Sequence, residues 1–385
     1  MSDTPLDAWS MRFHLRSRST PNPGPVHGPS ELAELAWVGL RDVAPARELL
    51  SAFMKYAPTP LRRLSQLERA LGLGAILIKD EGKRMGLGSF KALGGAHAVI
   101  RHARRKTERE PGKPVTVACA SAGNHGLSVA AGARAVGARS VVYLNETVPS
   151  SFEERLQAQG AETVRAGHDY EESLELAEAR AAREGWALIS DTLSPAVASE
   201  PRDVWEARAT GPREVMQGYS VLMDEAARAC EEQGGPATHV FVQAGVGGLA
   251  SVAASYLFER WGEAVTLVVV EPAGAACVLE SVRLGAPTRI APGRTTLGRL
   301  DCREPSLLAF HVLSRVAHGF VTVTDAAAGQ AAVQMAHDGV ALSPCGASGG
   351  AGLMAVCKDA SVRSALGLDA GSRVLLFGTE AAGAP

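Results

Sequence analysis

Along the chain, short runs of β-branched residues alternate with longer Ala-rich stretches whose apolar positions recur at helical spacing. Ala75–Lys79 (AILIK), Val115–Ala120 (VTVACA), Ser140–Leu144 (SVVYL), Thr163–Arg165, Ala187–Ser190, His239–Ala244 (HVFVQA), Val265–Glu271 (VTLVVVE) and Val374–Gly378 (VLLFG) read as strands. Between them Ser89–Arg105, Gly126–Val136, Glu153–Gln159, Tyr170–Glu184, Met216–Gln233 and Leu249–Arg260 read as helices. Strands alternating with helices predict an α/β fold: two open, twisted, mostly parallel sheets covered by helices, with a ligand cleft between domains. The expected division is a large domain from residues 1–90 and 220–385 and a small one from residues 91–219. Residues 17–30, rich in Ser, Pro and Gly, read as an extended arm or loop.

Length supports two domains, because 385 residues exceed the roughly 250–300 at which one core stops growing. A net charge of −2 excludes a general electrostatic attraction for nucleic acid or anionic membrane, so any bound anion must be held by local geometry. The six cysteines are scattered without metal-ligand spacing, which predicts no metal site and reduced thiols. The N-terminus has no apolar signal-like core, and no window approaches about 18 uninterrupted apolar residues. These features predict a cytoplasmic protein with no membrane partner.

Three Gly-rich turns follow predicted strands. In Gly88-Ser89-Phe90-Lys91-Ala92-Leu93-Gly94-Gly95, Ser89 fits an N-cap and puts Lys91 in the first helical turn. Burial and the positive helix end would both lower the lysine pKa, and a neutral amine is what imine formation requires. In Ser121-Ala122-Gly123-Asn124-His125-Gly126, successive N–H groups at a helix start suit a carboxylate; Asn124 offers an amide donor and His125 an acid or base. Gly245-Val246-Gly247-Gly248-Leu249-Ala250 fits the dinucleotide fingerprint, with Glu271 ending the next strand. That segment taken alone leaves an NAD-dependent dehydrogenase open, although the same geometry suits a lone phosphate monoester.

The ordered set S-F-K, S-A-G-N-H-G and G-V-G-G-L resembles the pyridoxal-phosphate enzymes of the tryptophan-synthase-β (fold type II) superfamily. Within it the chain is most similar to the diaminopropionate ammonia-lyases, through Lys79-Asp80-Glu81, Asp191-Thr192, Val215–Tyr219, Val270–Ala275 and Gly378-Thr379-Glu380. The resemblance implies pyridoxal 5'-phosphate as cofactor, carried by Lys91. It implies that Asn124 bonds the phenolic oxygen, that Gly245, Val246, Gly247, Gly248 and Leu249 cradle the phosphate, and that Thr379 faces the pyridine nitrogen. Ser121, Ala122, Gly123 and His125 would receive the substrate carboxylate, and Asp191 a cationic β-amino group. Pro344–Gly350 looks like a further cofactor-side loop.

One departure is visible. The ammonia-lyases carry an Asp, implied to take the α-proton of the D-substrate, where this chain has Ala122. That leaves Lys91 as the base and favours the L-isomer. The implied activity is α,β-elimination on a small β-substituted amino acid, with 2,3-diaminopropionate giving pyruvate and ammonia as the leading case. Serine or threonine dehydration, β-replacement by the same fold, and a non-catalytic binding module remain open. A homodimer is expected from the resemblance and from the frequency of two-fold assemblies.

Overall fold

The computed structural model describes residues 9–16, 34–121, 123–146, 148–168 and 170–383. Two sheets organise it. The larger has seven strands in the order β1-β10-β9-β8-β11-β3-β2, and the smaller four in the order β6-β5-β4-β7. The large sheet is built from β1 (Phe13–Leu15), β2 (Leu61–Arg63), β3 (Ala75–Asp80), β8 (His239–Gln243), β9 (Thr266–Pro272), β10 (Gly319–Val323) and β11 (Arg373–Gly378). The small sheet is built from β4 (Thr116–Ala120), β5 (Arg139–Leu144), β6 (Glu162–Arg165) and β7 (Ala187–Leu188).

The inner strands β3, β8, β9, β10 and β11 run parallel, and all four strands of the small sheet do too. Their continuous apolar runs explain this, since parallel strands are covered on both faces; every residue of β8 and β10 is buried. Among the named strands of the described residues, β1 and β2 pair antiparallel, each at an edge. On β2 the exposed Arg62 and Arg63 charge that edge and discourage further pairing.

Helix boundaries depart from expectation where packing overrides propensity. The helix expected over 216–233 runs from Arg202 to Glu232, straight through Gly211 and Pro212. Buried Trp205 and Ala209 hold its early turns in the core and offset the cost of an interior proline. Ser89 does not cap the Lys91–Arg109 helix; it bridges to Glu380 instead, and Phe90 takes the cap position without a side-chain bond. Pro344–Gly350 is not a loop but the first turns of a helix ending at Lys358, capped by Ser343 Oγ, which accepts the Gly346 N–H at 3.0 Å. Its glycines allow close approach to the sheet: a Cβ on Gly349 would sit 3.0 Å from the Phe241 carbonyl. The expected arm at 17–30 lies outside the described residues.

A buried ionic cluster anchors the segment leading into Lys91. Lys79 and Arg84 both reach Glu225, at 2.6 and 2.7 Å, and Arg84 also grips Glu81 at 2.7 Å. Tyr56 adds its hydroxyl to Glu225 at 2.8 Å. Two cations against two carboxylates leave the cluster neutral, which is the condition for burying it.

Candidate active site

Parallel topology gathers the candidate residues at the C-terminal ends of strands. Ser121 follows β4, Asp191 follows β7, Gly245 follows β8 and Thr379 follows β11, while the chain after β3 leads to Lys91. The segments carried by the two sheets approach one another there. Lys91 Nζ pairs with Asp191, Asn124 Nδ2 donates to Glu380 Oε1 at 2.7 Å, and the Asp191 carbonyl lies 3.9 Å from where a Cβ on Gly248 would stand.

Lys91 is the first residue of its helix, and that start is stitched to the strand-β11 end. Phe90 N–H donates to the Thr379 carbonyl at 3.1 Å, and Ala381 N–H to the Gly88 carbonyl at 3.0 Å. The expected lowering of the lysine pKa is reversed. Burial does push it down, but the facing Asp191 carboxylate more than offsets this and raises it above the ordinary lysine value. Burial raises Asp191 as well, yet Lys91 holds its carboxyl well below the usual range. The two side chains are 25 and 18% exposed, so the pair is sheltered in the cleft rather than out in bulk water.

The Ser121–His125 turn is partly satisfied from within. Ser121 Oγ accepts the N–H groups of Gly123 (3.2 Å) and Gly126 (3.0 Å), leaving fewer donors for a carboxylate than the motif suggests. Asn124 opens the helix to Ala135 and is buried, its Oδ1 without a partner among the described residues. His125 lies buried with Nε2 2.9 Å from the Ile189 carbonyl. A carbonyl only accepts, so Nε2 carries the proton and the ring steadies the strand end two residues before Asp191. Burial lowers its pKa and keeps it neutral. Ala122 lies outside the described residues.

At the third turn, Gly247 has φ +93°, a left-handed conformation that a side chain resists. A Cβ there would also meet the Ala309 Cβ at 2.9 Å, and one on Gly245 the Cys302 Sγ at 2.9 Å. Val246 fixes the loop by accepting the Ser306 N–H at 2.9 Å, and Gly248 and Leu249 open a helix that runs to Trp261. Backbone N–H groups at such a helix start suit a phosphate monoester. The dinucleotide alternative fails at Glu271. Its carboxylate is fully buried and accepts the N–H groups of Val278 and Leu279, both at 2.8 Å, so it presents nothing to a ribose.

Thr379 is buried, and its Oγ1 accepts Gln243 Nε2 at 2.8 Å. That occupies a lone pair and leaves the hydroxyl proton to be donated, as a neutral pyridine nitrogen requires. Glycine cradle, lysine, amide and hydroxyl therefore fit pyridoxal phosphate together. No group of His, Cys, Asp and Glu suited to a metal occurs among the described residues.

Several neighbours were not legible beforehand. Glu380 ties Asn124 to Ser343 Oγ (2.6 Å) and to Arg299 Nε (3.4 Å). Tyr219 packs on Phe90, ring centroids 4.9 Å apart, because Gly94 and Gly218 let their helices touch. Cys302 faces the Gly245 turn; burial and the Asp191 charge push its thiol up to about 12, so it stays protonated and is no nucleophile. Glu380 and Tyr219 had appeared only as members of Gly378-Thr379-Glu380 and Val215–Tyr219, with no role attached.

Comparison with known proteins points to a pyridoxal-phosphate family. The family model described as pyridoxal-phosphate dependent enzyme matches residues 52–379. Diaminopropionate ammonia-lyase of Escherichia coli strain K12 is 32% identical over 74% of this chain and 72% of its own. That of Salmonella typhimurium is 31% identical over 84% of this chain and 85% of its own. The solved Escherichia coli enzyme, in complex with an aminoacrylate–pyridoxal-phosphate azomethine reaction intermediate, superposes with a TM-score of 0.79 at 28% identity, covering 97% of this chain and 94% of that one.

Proposed function

This chain belongs to the pyridoxal-phosphate-dependent enzyme family, and from that premise we propose that it eliminates the β-amino group of 2,3-diaminopropionate, preferably the L-isomer, yielding pyruvate and ammonia. One observation carries the choice of substrate: Asp191 already holds an ammonium group, that of Lys91, in the cleft. A substrate β-ammonium has the same chemistry and suits the same carboxylate.

When bound, the cofactor supplies an aldehyde for amine capture and a sink for the electron pair left by the α-proton. Lys91 removes that proton, acting as a neutral amine once its own proton has been given up. Asp191 orients the leaving ammonium, and the Ser121–His125 turn takes the carboxylate. Gly245–Leu249 hold the phosphate, Asn124 the phenolic oxygen and Thr379 the ring nitrogen. Thr379 would offer the ring nitrogen a hydrogen bond without a charge, which suits elimination better than transamination. Ala122, which is not an acid, supports the L-preference.

On the same reading, residues 1–90 and 220–385 form the cofactor domain and residues 91–219 the substrate-side domain. The distribution of strands between the two sheets supports this. The enzyme works in the cytoplasm, a reading supported by six unpaired cysteines, and as a homodimer, the commonest soluble assembly. No helix of the described residues is long and apolar enough to cross a membrane.

The test is a pyruvate and ammonia assay across L- and D-diaminopropionate, serine, threonine and 3-hydroxyaspartate. L-diaminopropionate is expected to give the highest kcat/KM; no pyruvate from any of them overturns the proposal. Asp191→Asn separates the roles further. Losing a charged hydrogen-bond acceptor worth about 1.5–3 kcal/mol raises KM for diaminopropionate roughly 10- to 100-fold. Serine, which has no β-ammonium, is expected to suffer much less, and an equal loss for both removes Asp191 as the amine-recognising residue.

A further inference from the structure

Tyr219 lies in the middle of the long helix Arg202–Glu232 and is 2% exposed. Its ring is clamped by packing. A Cβ on Gly94 would stand 2.5 Å from its Cε1 and 2.8 Å from its Cζ, so a glycine there is what lets the ring seat. A Cβ on Gly218 would stand 2.7 Å from the Leu93 carbonyl, so the backbones of the two helices are in contact beside it. Phe90 covers another side of the ring, centroids 4.9 Å apart. Lys91 Nζ lies 5.6 Å from the centroid of that same Phe90 ring. The tyrosine is therefore fixed beside the lysine without help from its own hydroxyl.

That hydroxyl is buried and has no well-formed hydrogen bond among the described residues. Leaving a buried hydroxyl unbonded is costly, and a rigid ring cannot swing it elsewhere. Burial raises the phenol pKa, Lys91 draws it back down through its charge and its nearness to the oxygen, and Asp191 raises it again. The phenol thus keeps its proton and lies within reach of both members of the Lys91–Asp191 pair. In the resting protein the Lys91 ammonium is turned to Asp191. On the elimination reading that carboxylate is needed by the substrate's β-ammonium, so Lys91 loses its acceptor at the stage where it takes up the α-proton. A hydroxyl accepts from an ammonium and donates to a neutral amine, so one phenol serves both states of the lysine. A carboxylate serves the charged state alone.

We propose that the Tyr219 hydroxyl holds the Lys91 amine while Asp191 is occupied by substrate, donating to it when it is neutral and accepting from it when it is charged. Resting on the elimination reading, the proposal adds a second group to the handling of Lys91 and deepens the role of that site. Tyr219 is a positioning residue acting through Lys91. The α-proton passes to the lysine, and the phenol keeps its own proton throughout. Gly94, Gly218 and Phe90 serve the same end by fixing where the hydroxyl stands.

The experiment compares the holoenzyme with Tyr219→Phe, which removes one oxygen and keeps the clamped ring, and with Tyr219→Leu, which also loses the packing. The first readout is the rate at which hydroxylamine displaces Lys91 from the cofactor, followed as loss of cofactor absorbance. Tyr219→Phe is expected to slow it about 2- to 10-fold, the worth of one ordinary hydrogen bond to the departing amine. Tyr219→Leu loosens the cleft and is expected to speed it, so the two variants separate positioning from packing. The second readout is turnover of L-diaminopropionate. In Tyr219→Phe kcat is expected to fall by a similar factor with KM nearly unchanged, and the isotope effect from α-deuteration to rise. Displacement in Tyr219→Phe as fast as in wild type, or faster, overturns the proposal. So does slower displacement with kcat and isotope effect both unaltered in an active enzyme. Because the first readout needs no substrate, a wild-type protein that makes no pyruvate, with displacement still slowed in Tyr219→Phe, sinks the elimination reading and leaves the hold of Tyr219 on Lys91 standing.

Discussion

Lys91→Ala is expected to abolish both the visible imine absorbance and turnover, with a loss of roughly 10²–10⁴-fold from the missing proton transfer alone. Two effects act together in that variant. The amine that captures the cofactor is gone, and Asp191 is left in the cleft without its cation. Lys91→Arg separates them. Arginine keeps a positive charge opposite Asp191, so folding is retained, but its guanidinium stays protonated and forms no imine. The expected result is a well-folded, colourless, inactive protein. Measurable imine absorbance in either variant after loading with pyridoxal phosphate would show that another lysine carries the cofactor.

The second large effect falls on stability. Glu225→Ala removes the carboxylate shared by Lys79 and Arg84, whose side chains are 1 and 0% exposed. Glu81 alone cannot compensate two buried cations, and breaking a buried pair from one side costs roughly 3–5 kcal/mol. The expected outcome is a marked fall in the denaturant midpoint, together with weaker cofactor retention, because Arg84 anchors the segment that leads into Lys91. Glu225→Gln keeps two hydrogen-bonding atoms and is expected to lose less. A midpoint unchanged in Glu225→Ala means that the cluster is hydrated or rearranges freely, and the anchoring role is then wrong.

The parts of the site that were legible in the sequence are those held by local geometry. A glycine at 247 is needed for a left-handed turn, and the strand-turn-helix pattern around it is local too. Gly245–Leu249, Ser121–His125 and Lys91 could therefore be picked out as turns before any tertiary contact was known. Their chemistry was only half legible. The lysine pKa was expected to fall because its own helix start and burial lower it; the carboxylate that reverses this is 100 residues away in sequence. Glu271 completed a dinucleotide pattern by position, yet the structure spends both its oxygens on a neighbouring helix start. Arg299 lies in a segment with no motif, and nothing local marked it.

By itself, the sequence determined the α/β class, the parallel strands and the glycine turns, because hydrophobic period and backbone strain act over a few residues. It also carried the family resemblance through three motifs in order. Only the tertiary structure decided which charges meet. Asp191 opposite Lys91, Glu380 between Asn124 and Arg299, and Glu225 beneath the loop before Lys91 each join distant segments. Electrostatic pairing depends on distance in space and on burial, and neither is encoded in spacing along the chain.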